Sequence, residues 1–250
     1  MHNITTQTPA IDKAARIFRF IVQNNGATYS QIYQGLNLPQ SSTSTLLASL
    51  ITHGFLRQHE GKYHLGMLLY EFGNIAIEQF DLKTLAMQPL NHLRDKTHLA
   101  CHLGILEGQS TIYLARLESP GAISIRSWLG KRLSLHSSSL GKVLLAWLSD
   151  EQIDQLLPNE TLEAKTQKTI TNKSALKKEL QLVKQIGWAS DFGEDYDDIN
   201  CIAAPVFDRN QQVVAAISTS GVSFQLTEEN KERFAEYVCQ AAKELSLLIR

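Results

Sequence analysis

A three-residue turn, Asn37-Leu38-Pro39, between two helical patterns places the tightest constraint on the fold of this chain. Before the turn, Thr28-Tyr29-Ser30-Gln31 has the spacing of a capping box, which begins a helix. After it, a second helix begins at Gln40 and carries three regularly spaced leucines, Leu46, Leu47 and Leu50. Two helices joined by so short a turn predict a helix-turn-helix unit.

The sequences on either side of this unit extend it to a winged helix. Thr8 can accept a hydrogen bond at the start of a first helix, Pro9 fits its first turn, and Asn25-Gly26 ends it. On the other side, two alternating segments, 55–59 and 62–65, are separated by Glu60-Gly61, which predicts a tight hairpin. Three helices followed by a hairpin are the elements of a winged helix, in their usual order.

Small hydroxyl side chains are concentrated at the beginning of the second helix of the unit. In a helix-turn-helix protein this end enters the major groove, where small hydroxyls reach phosphates and base edges, and the helix amides favour phosphate. The alternative is that the hydroxyls only cap a surface helix, as they often do. The candidate DNA contacts are Gln40, Ser41, Ser42, Thr43, Ser44 and Thr45 of this helix and Lys62 of the hairpin.

Composition limits the remaining possibilities. A chain of 250 residues with 43% hydrophobic and 20% charged residues predicts two globular domains. Its net charge is -1, and residues 1–65 carry only a small excess of positive charge, so we expect modest electrostatic attraction to DNA. There is no signal-like beginning and no apolar run of membrane-spanning length, so we expect a cytoplasmic protein with no membrane partner. The three widely separated cysteines argue against disulfides and structural zinc.

The rest of the sequence predicts a second, α+β domain. Residues 67–80 form an apolar helical pattern, and an amphipathic helix follows from Leu82. Hairpin-joined strands then precede and follow a group of helices, which is typical of an antiparallel sheet with helices packed on its faces. The predicted strands are 100–107, 111–118, 122–127, 201–207 and 212–219, and the predicted helices are 138–148, 151–156, 174–186 and 227–249.

The sequence offers little for catalysis. His98 and His102 are four residues apart without the glutamate of a zinc-protease helix, and His102 falls in a predicted strand, where such a pair does not converge. Cys201 has no histidine nearby in sequence to activate it. We therefore expect no enzymatic activity, no catalytic residues, no metal site and no cofactor.

Three segments resemble one family. The run from Ala10 to Gly66, the segment LGKRLSLHSSSLGKVLLAWL and the segment GWASDFGEDYDDINCIAAPVFDRNQQVVAAISTSG are similar to IclR-type bacterial transcription regulators. The chain departs from the family's pattern in four places. Gln40 and Thr45 stand where basic residues are common, which predicts a shallower salt dependence of DNA binding. Val222 stands where proline is frequent, and Asp198 where glycine is usual.

The resemblance implies a winged-helix DNA-binding domain over residues 1–66, a linker helix over 67–80 and a GAF- or profilin-like effector-binding domain over 81–250. It also implies a repressor that binds a double-stranded DNA operator under the control of a small organic acid. A homodimer is expected, because a palindromic operator needs two recognition helices, and a homotetramer stays open. The linker helix would support dimer contacts, unless it packs only on its own domain.

The resemblance also assigns an effector site. The amides of Ser139 and Leu140 would bind the acid's carboxylate, Asp191 and Cys201 would supply polar groups, and Ile199 an apolar wall. Ser218 and Ser220 alternate on the last strand, so both hydroxyls face the same side. A ligand-independent DNA-binding protein is the alternative; it would not need these polar groups and would usually be more basic.

Overall fold

The computed structural model describes residues 6–78, 81–121, 125 and 127–249. The chain divides into two compact units, Met1–Gln79 and Phe80–Arg250. The helices are α1 (Pro9–Gln23), α2 (Tyr29–Gly35), α3 (Gln40–Thr52), α4 (Met67–Glu78), α5 (Asp81–Thr97), α6 (Ser139–Ala146), α7 (Asp150–Leu156), α8 (Lys173–Ile186) and α9 (Lys231–Leu248). The strands are β1 (Ala27–Thr28), β2 (Leu56–His59), β3 (Lys62–Leu65), β4 (Ala100–Glu107), β5 (Ser110–Leu117), β6 (Arg132–Leu133), β7 (Ala189–Phe192), β8 (Ile199–Phe207) and β9 (Val213–Val222).

The first unit is the predicted winged helix. The capping box of α2 is present: the Gln31 amide donates to the Thr28 hydroxyl, and the Gln31 side chain accepts the Thr28 amide hydrogen. The hairpin turns at Glu60 and Gly61, both with positive φ, as a two-residue turn between twisted strands requires. One core joins the three helices to the wing, with Ile17, Ile32 and Leu47 fully buried.

Two details of this unit differ from the prediction. Thr8 occupies the position before α1, but its side chain does not cap the helix. Instead, the carboxylate of Asp12 accepts hydrogen bonds from the amide and hydroxyl of Thr6. The sheet also has a third strand, because β1 pairs with β3 on the side away from β2.

The second unit is the predicted α+β domain. Its six strands lie in the order β6-β5-β4-β9-β8-β7, and every neighbouring pair is antiparallel. α5 and α9 pack on one face of the sheet, around Ile202, Ile217 and Val238. α6 and α8 pack on the other face, around Val143, Leu176 and Ala203.

The short edge strands β6 and β7 were not predicted. Most of the predicted strand over 122–127 lies outside the described residues, and the described Ile125 and Ser127 are not in a strand. In the described part of the chain, no helix is both long and apolar enough to cross a membrane.

Candidate DNA-binding helix and effector site

The first turns of α3 present most, but not all, of the predicted DNA contacts. Five of the six side chains are exposed: Gln40, Ser41, Ser42, Ser44 and Thr45. The hydroxyls of Ser42 and Thr45 donate back to helix carbonyls, a common habit of small polar side chains, and their oxygens can still accept. Lys62 is exposed at the start of the second wing strand.

The position of Thr43 differs from the prediction that its side chain contacts DNA. Its side chain is only 2% exposed, and its hydroxyl donates to the carbonyl oxygen of Pro39 at 2.8 Å. Thr43 therefore packs beneath α3 with Leu47 and Leu50, which are also buried. A buried side chain cannot reach a base edge, so Thr43 has a structural role.

In the second unit, two rows of side chains line the sheet face that carries α6. Residues directly opposite each other in paired antiparallel strands point to the same side, with Cβ atoms about 5 Å apart. One row runs through Asp191, Cys201, Ser220 and Ala100, and the next through Ala203, Ser218, His102 and Arg116. We call Asp191, Cys201, Ser218, Ser220 and His102 the floor of the site. The predicted alternation of Ser218 and Ser220 is thus present. Ile199, two residues before Cys201 on β8, points to the same side of the sheet.

α6 approaches the floor by its first turn. Ala203 and Ala216, on the same sheet face, pack in one core with Leu140 and Val143 of the helix. Gly104 extends this small-residue surface, since a Cβ there would lie 3.0 Å from the Leu140 side chain. Small residues on the sheet therefore allow α6 to lie close to it.

The beginning of α6 exposes the two predicted amide groups. Ser138 caps the helix: its hydroxyl accepts from the Gly141 amide at 3.1 Å, and its carbonyl accepts from the Lys142 amide. The amides of Ser139 and Leu140, the first two of the helix, have no acceptor among the described residues. Such a pair of amides, at the positive end of a helix dipole, suits a carboxylate.

Gly141 is required by the path of the chain before α6. A Cβ at this position would lie 2.4 Å from the Leu135 carbonyl oxygen, far inside contact distance. The turn before Ser139 and Leu140 therefore lies directly against α6 and leaves no room for a side chain at position 141.

Asp191 differs from the expectation in one respect. One of its carboxylate oxygens accepts the backbone amides of Glu194, at 2.7 Å, and Asp195, at 3.3 Å, so it organises its own loop. Burial, together with the neighbouring carboxylates of Glu194 and Asp195, raises the pKa of Asp191 to about 7. Only its other oxygen remains for a ligand.

The loop after Asp191 is tied to α6 and to the turn before it. The Ser137 hydroxyl donates to the Asp195 carboxylate at 2.6 Å. The ammonium of Lys142, a side chain only 1% exposed, donates to Glu194 at 2.5 Å and to the Ser190 carbonyl at 3.0 Å. These contacts fix Asp191 relative to the Ser139 and Leu140 amides.

The sequence did not reveal that His102 is a floor residue or that Tyr113 lies next to it. Their rings stack with centroids 4.3 Å apart, and His102 Nε2 lies 3.2 Å from the Ser127 hydroxyl. Burial, together with the positive charges of Arg116 and Lys131, lowers the pKa of His102 to about 3, so the imidazole is neutral. Its Nδ1 is buried and has no hydrogen-bond partner among the residues that the structure describes. Sequence alone could not show this, because His102 meets Ser218 only through the pairing of β4 with β9.

The chemistry of the floor suits binding rather than catalysis. Burial raises the pKa of the Cys201 thiol well above its usual range, with a further rise from Asp191, so the nucleophilic thiolate is disfavoured. Across the described ranges there is no group of three or more histidine, cysteine or acidic residues that could hold a metal ion. A surface depression of about 420 Å³ beside the β4–β5 turn, lined by Leu106, Gln109 and Leu156 among others, contains no floor residue.

Comparison with known proteins identifies the family. The model of the IclR helix-turn-helix domain matches residues 10–60, and that of the bacterial transcriptional regulator IclR C-terminal domain matches residues 74–247. The chain belongs to the IclR family of bacterial transcription regulators. Within this family, it is 36% identical to the uncharacterized HTH-type transcriptional regulator RhmR of Escherichia coli K12, over 98% of this chain and 95% of the relative.

Two further IclR-family relatives bear on function. The transcriptional repressor IclR of Escherichia coli K12 is 27% identical over 97% of this chain and 90% of its own. An IclR homolog from Microbacterium hydrocarbonoxydans, solved in complex with 4-hydroxybenzoate, is 26% identical with a TM-score of 0.81, covering 96% of this chain and 99% of that one. RhmR and IclR of Escherichia coli are named as a transcriptional regulator and a transcriptional repressor, and regulators of this family are DNA-binding proteins and not enzymes.

Proposed function

We propose that this protein is a sequence-specific repressor whose binding to a double-stranded operator is controlled by a small organic acid. The acid would bind between the first turn of α6 and the floor, with its carboxylate on the amides of Ser139 and Leu140. The observation that carries this proposal is the pair of amides that have no acceptor in the described part of the chain, on the same sheet face as Ser218 and Ser220.

The chemistry of the site favours a carboxylic acid with further oxygen atoms. His102 Nδ1, which has no partner among the described residues, is a buried hydrogen-bonding atom that a purely apolar ligand would leave unpaired, at a cost. The hydroxyls of Ser218 and Ser220 are further groups to which oxygen atoms of a ligand could bind. The relative solved with 4-hydroxybenzoate, an acid that carries a hydroxyl, supports this class. The relative named transcriptional repressor IclR favours repression as the effect of operator binding on transcription. Because the target would be chromosomal DNA, we place the protein in the cytoplasm.

Control of DNA binding would arise from differential affinity. An acid that prefers one of two arrangements of the protein shifts the population toward it, by no more than the ratio of its two affinities. Residues 1–66 would then bind DNA, 67–80 would link the domains and 81–250 would bind the acid.

A panel of acids tests the proposal. Purified protein is heated with 2-oxo acids, hydroxy acids, sugar acids and aromatic acids, because a ligand that binds the native state raises Tm by mass action. We expect one or a few acids to raise Tm and to change binding to a promoter fragment, measured by fluorescence anisotropy.

Paired serine variants locate the site. The Ser218→Ala, Ser220→Ala double variant should lose most of the Tm response while binding DNA normally without acid. Ser223→Ala, an exposed serine just beyond β9, should respond like the wild type. A full response in the double variant would refute the site, and no response of the wild type to any acid would favour a ligand-independent DNA-binding protein.

A further inference from the structure

Two segments that adjoin opposite edges of the six-stranded sheet contact each other. Lys131 immediately precedes β6, and Tyr196 lies in the loop that follows β7, yet β6 and β7 are the two ends of the strand order. Neighbouring strands are about 4.8 Å apart, so a flat sheet would separate these edges by more than 20 Å. The two segments therefore extend from opposite edges of the sheet far enough to contact each other.

The contact is a cation that lies near two aromatic rings. The Lys131 ammonium lies 4.9 Å from the centroid of the Tyr196 ring and 5.2 Å from that of Trp128, both within cation–π range. Trp128 and Tyr196 are 52% and 53% exposed, so the rings form an outer surface. We call this arrangement the Trp128–Lys131–Tyr196 clamp.

Each side of the clamp is anchored next to the floor. The Tyr113 amide donates to the Lys131 carbonyl, and the Gly130 amide donates to the Tyr113 carbonyl, while the Tyr113 ring stacks on His102. On the other side, the loop that carries Tyr196 is organised by Asp191 and bonded to Ser137 just before α6. The clamp therefore joins the two sides of the effector site.

The positive charge of Lys131 acts on the floor itself. Burial is the main cause of the lowered pKa of His102 and of the raised pKa of Cys201, and the charge of Lys131 adds to the first change and opposes the second. The ammonium is therefore within electrostatic range of two floor residues on different strands. Among the described residues, the other charged groups near the first turn of α6 are mostly acidic: Asp191, Asp195 and Glu194, of which Glu194 is paired with Lys142. Arg116, also on this sheet face, is paired with Glu118. A formal positive charge would strengthen the binding of an anion in this surrounding beyond what the amides of Ser139 and Leu140 provide.

We propose that Lys131 is an effector-binding residue, whose ammonium pairs with the carboxylate of the acid while Trp128 and Tyr196 hold the side chain over the floor. This inference rests on the proposed function and assigns a recognition role to the clamp. It predicts that the effector is bound as an anion, so an uncharged amide of the same acid would not benefit from Lys131.

Charge-altering variants of the full-length protein provide the test. The probe is the acid of the panel that stabilises the wild type most, together with its primary amide. Lys131→Met keeps an aliphatic stem between the rings, Lys131→Arg keeps the charge, and Lys184→Met removes an exposed lysine of α8 as a matched control. Affinities are measured by titration calorimetry at two salt concentrations, after circular dichroism has shown that each variant is folded.

We expect Lys131→Met to weaken binding of the acid about tenfold, as for the loss of one charge-assisted hydrogen bond. Its salt dependence should flatten, and binding of the amide should stay unchanged. Lys131→Arg should bind within about threefold of the wild type, and Lys184→Met should match it. Tyr196→Leu, which removes one ring and leaves the charge, should weaken acid binding less than Lys131→Met does; it also serves if Lys131→Met folds poorly.

The outcomes separate the two proposals. If no acid stabilises the wild type, the proposed function and this inference fall together. If the wild type binds an acid and Lys131→Met binds it equally well, only the role of Lys131 is overturned. Equal weakening for the acid and its amide would also overturn it, because that result would reflect altered packing of the clamp.

Discussion

Thr43 donates its hydroxyl hydrogen to the carbonyl oxygen of Pro39, 2.8 Å away, and this bond turns the side chain under α3. Ser42, the preceding residue, is exposed on the outer side of the same turn. Two adjacent residues of the hydroxyl-rich run therefore have different roles, and the same substitution at both positions distinguishes them.

Thr43→Glu should destabilise the first unit. A carboxylate at a site only 2% exposed either loses its hydration or forces α3 away from its neighbours, at a cost of about 2–4 kcal/mol. Urea unfolding followed by circular dichroism measures the loss. An unfolding free energy equal to that of the wild type would show that the side chain reaches solvent and that Thr43 is not packed.

Ser42→Glu should abolish operator binding and leave stability within about 0.5 kcal/mol of the wild type. The added charge lies near the beginning of α3, where it favours the helix dipole but repels DNA phosphate. Anisotropy with a labelled promoter fragment and a random fragment of equal length measures binding. Unchanged discrimination between the two fragments would remove α3 from the DNA interface.

Asp191→Asn should change how stability depends on pH. The folded-state pKa of Asp191 is about 7, well above its ordinary value, so between about pH 4 and 7 the folded chain holds a proton that the unfolded chain has released. The contribution of Asp191 to stability is therefore lost as pH rises through 7. Asparagine keeps an oxygen for the Glu194 and Asp195 amides and has no proton to lose. As pH rises from 5 to 8, the unfolding free energy of the variant should therefore increase by about 2 kcal/mol relative to that of the wild type.

The comparison must be made between variant and wild type, because His102 acts in the opposite direction. Its pKa is lowered to about 3, so the unfolded chain binds the extra proton, and stability from His102 rises with pH from about 3 to 6.5. Both proteins share this contribution, and it cancels in their difference. Denaturant unfolding at the two pH values gives the result; a constant difference would mean that Asp191 is ionised throughout.

Tyr70→Lys with Ile75→Glu should yield a monomer. Four large apolar side chains of α4 are strongly exposed in the described residues, Met67, Tyr70, Phe72 and Ile75, and such a patch on one helix usually marks an interface. We propose that a second copy of the chain covers it. Light scattering should show a halved mass, whereas Leu182→Lys on α8, of similar exposure, should leave the assembly intact. A wild-type monomer, or a double variant with unchanged mass, would contradict this interface.

Local patterns predicted the elements of the fold well. The capping box at Thr28 and the turn at Glu60-Gly61 depend only on residues next to each other, and the structure contains both. The edge strand β7 was missed, because four residues that include Ser190 and Asp191 carry little strand signal of their own. The burial of Thr43 was missed for a related reason: a run of small hydroxyl residues has too little contrast to indicate which side of a helix faces the core.

The site was predictable only in part. Ser218 and Ser220 share a face because strands alternate, and the amides of α6 follow from the helix start. The positions of His102 and Lys131 depend on strand order and on a contact between distant loops, neither of which a single sequence contains. That one oxygen of Asp191 is used by its own loop also required coordinates, since the sequence does not give the turn geometry.

The side chains of β9 alternate between the two faces of the sheet, so substitutions on this strand fall into two groups. Ile217 and Thr219 face α5 and α9, where Thr219 meets Cys101, while Ser218 and Ser220 face the opposite side. If the proposed site binds the acid, substitutions at the even-numbered positions would alter which molecule is recognised without disturbing the packing on the other face. A lineage could then acquire a response to a new acid through a few exchanges on one strand while the rest of the domain is inherited intact.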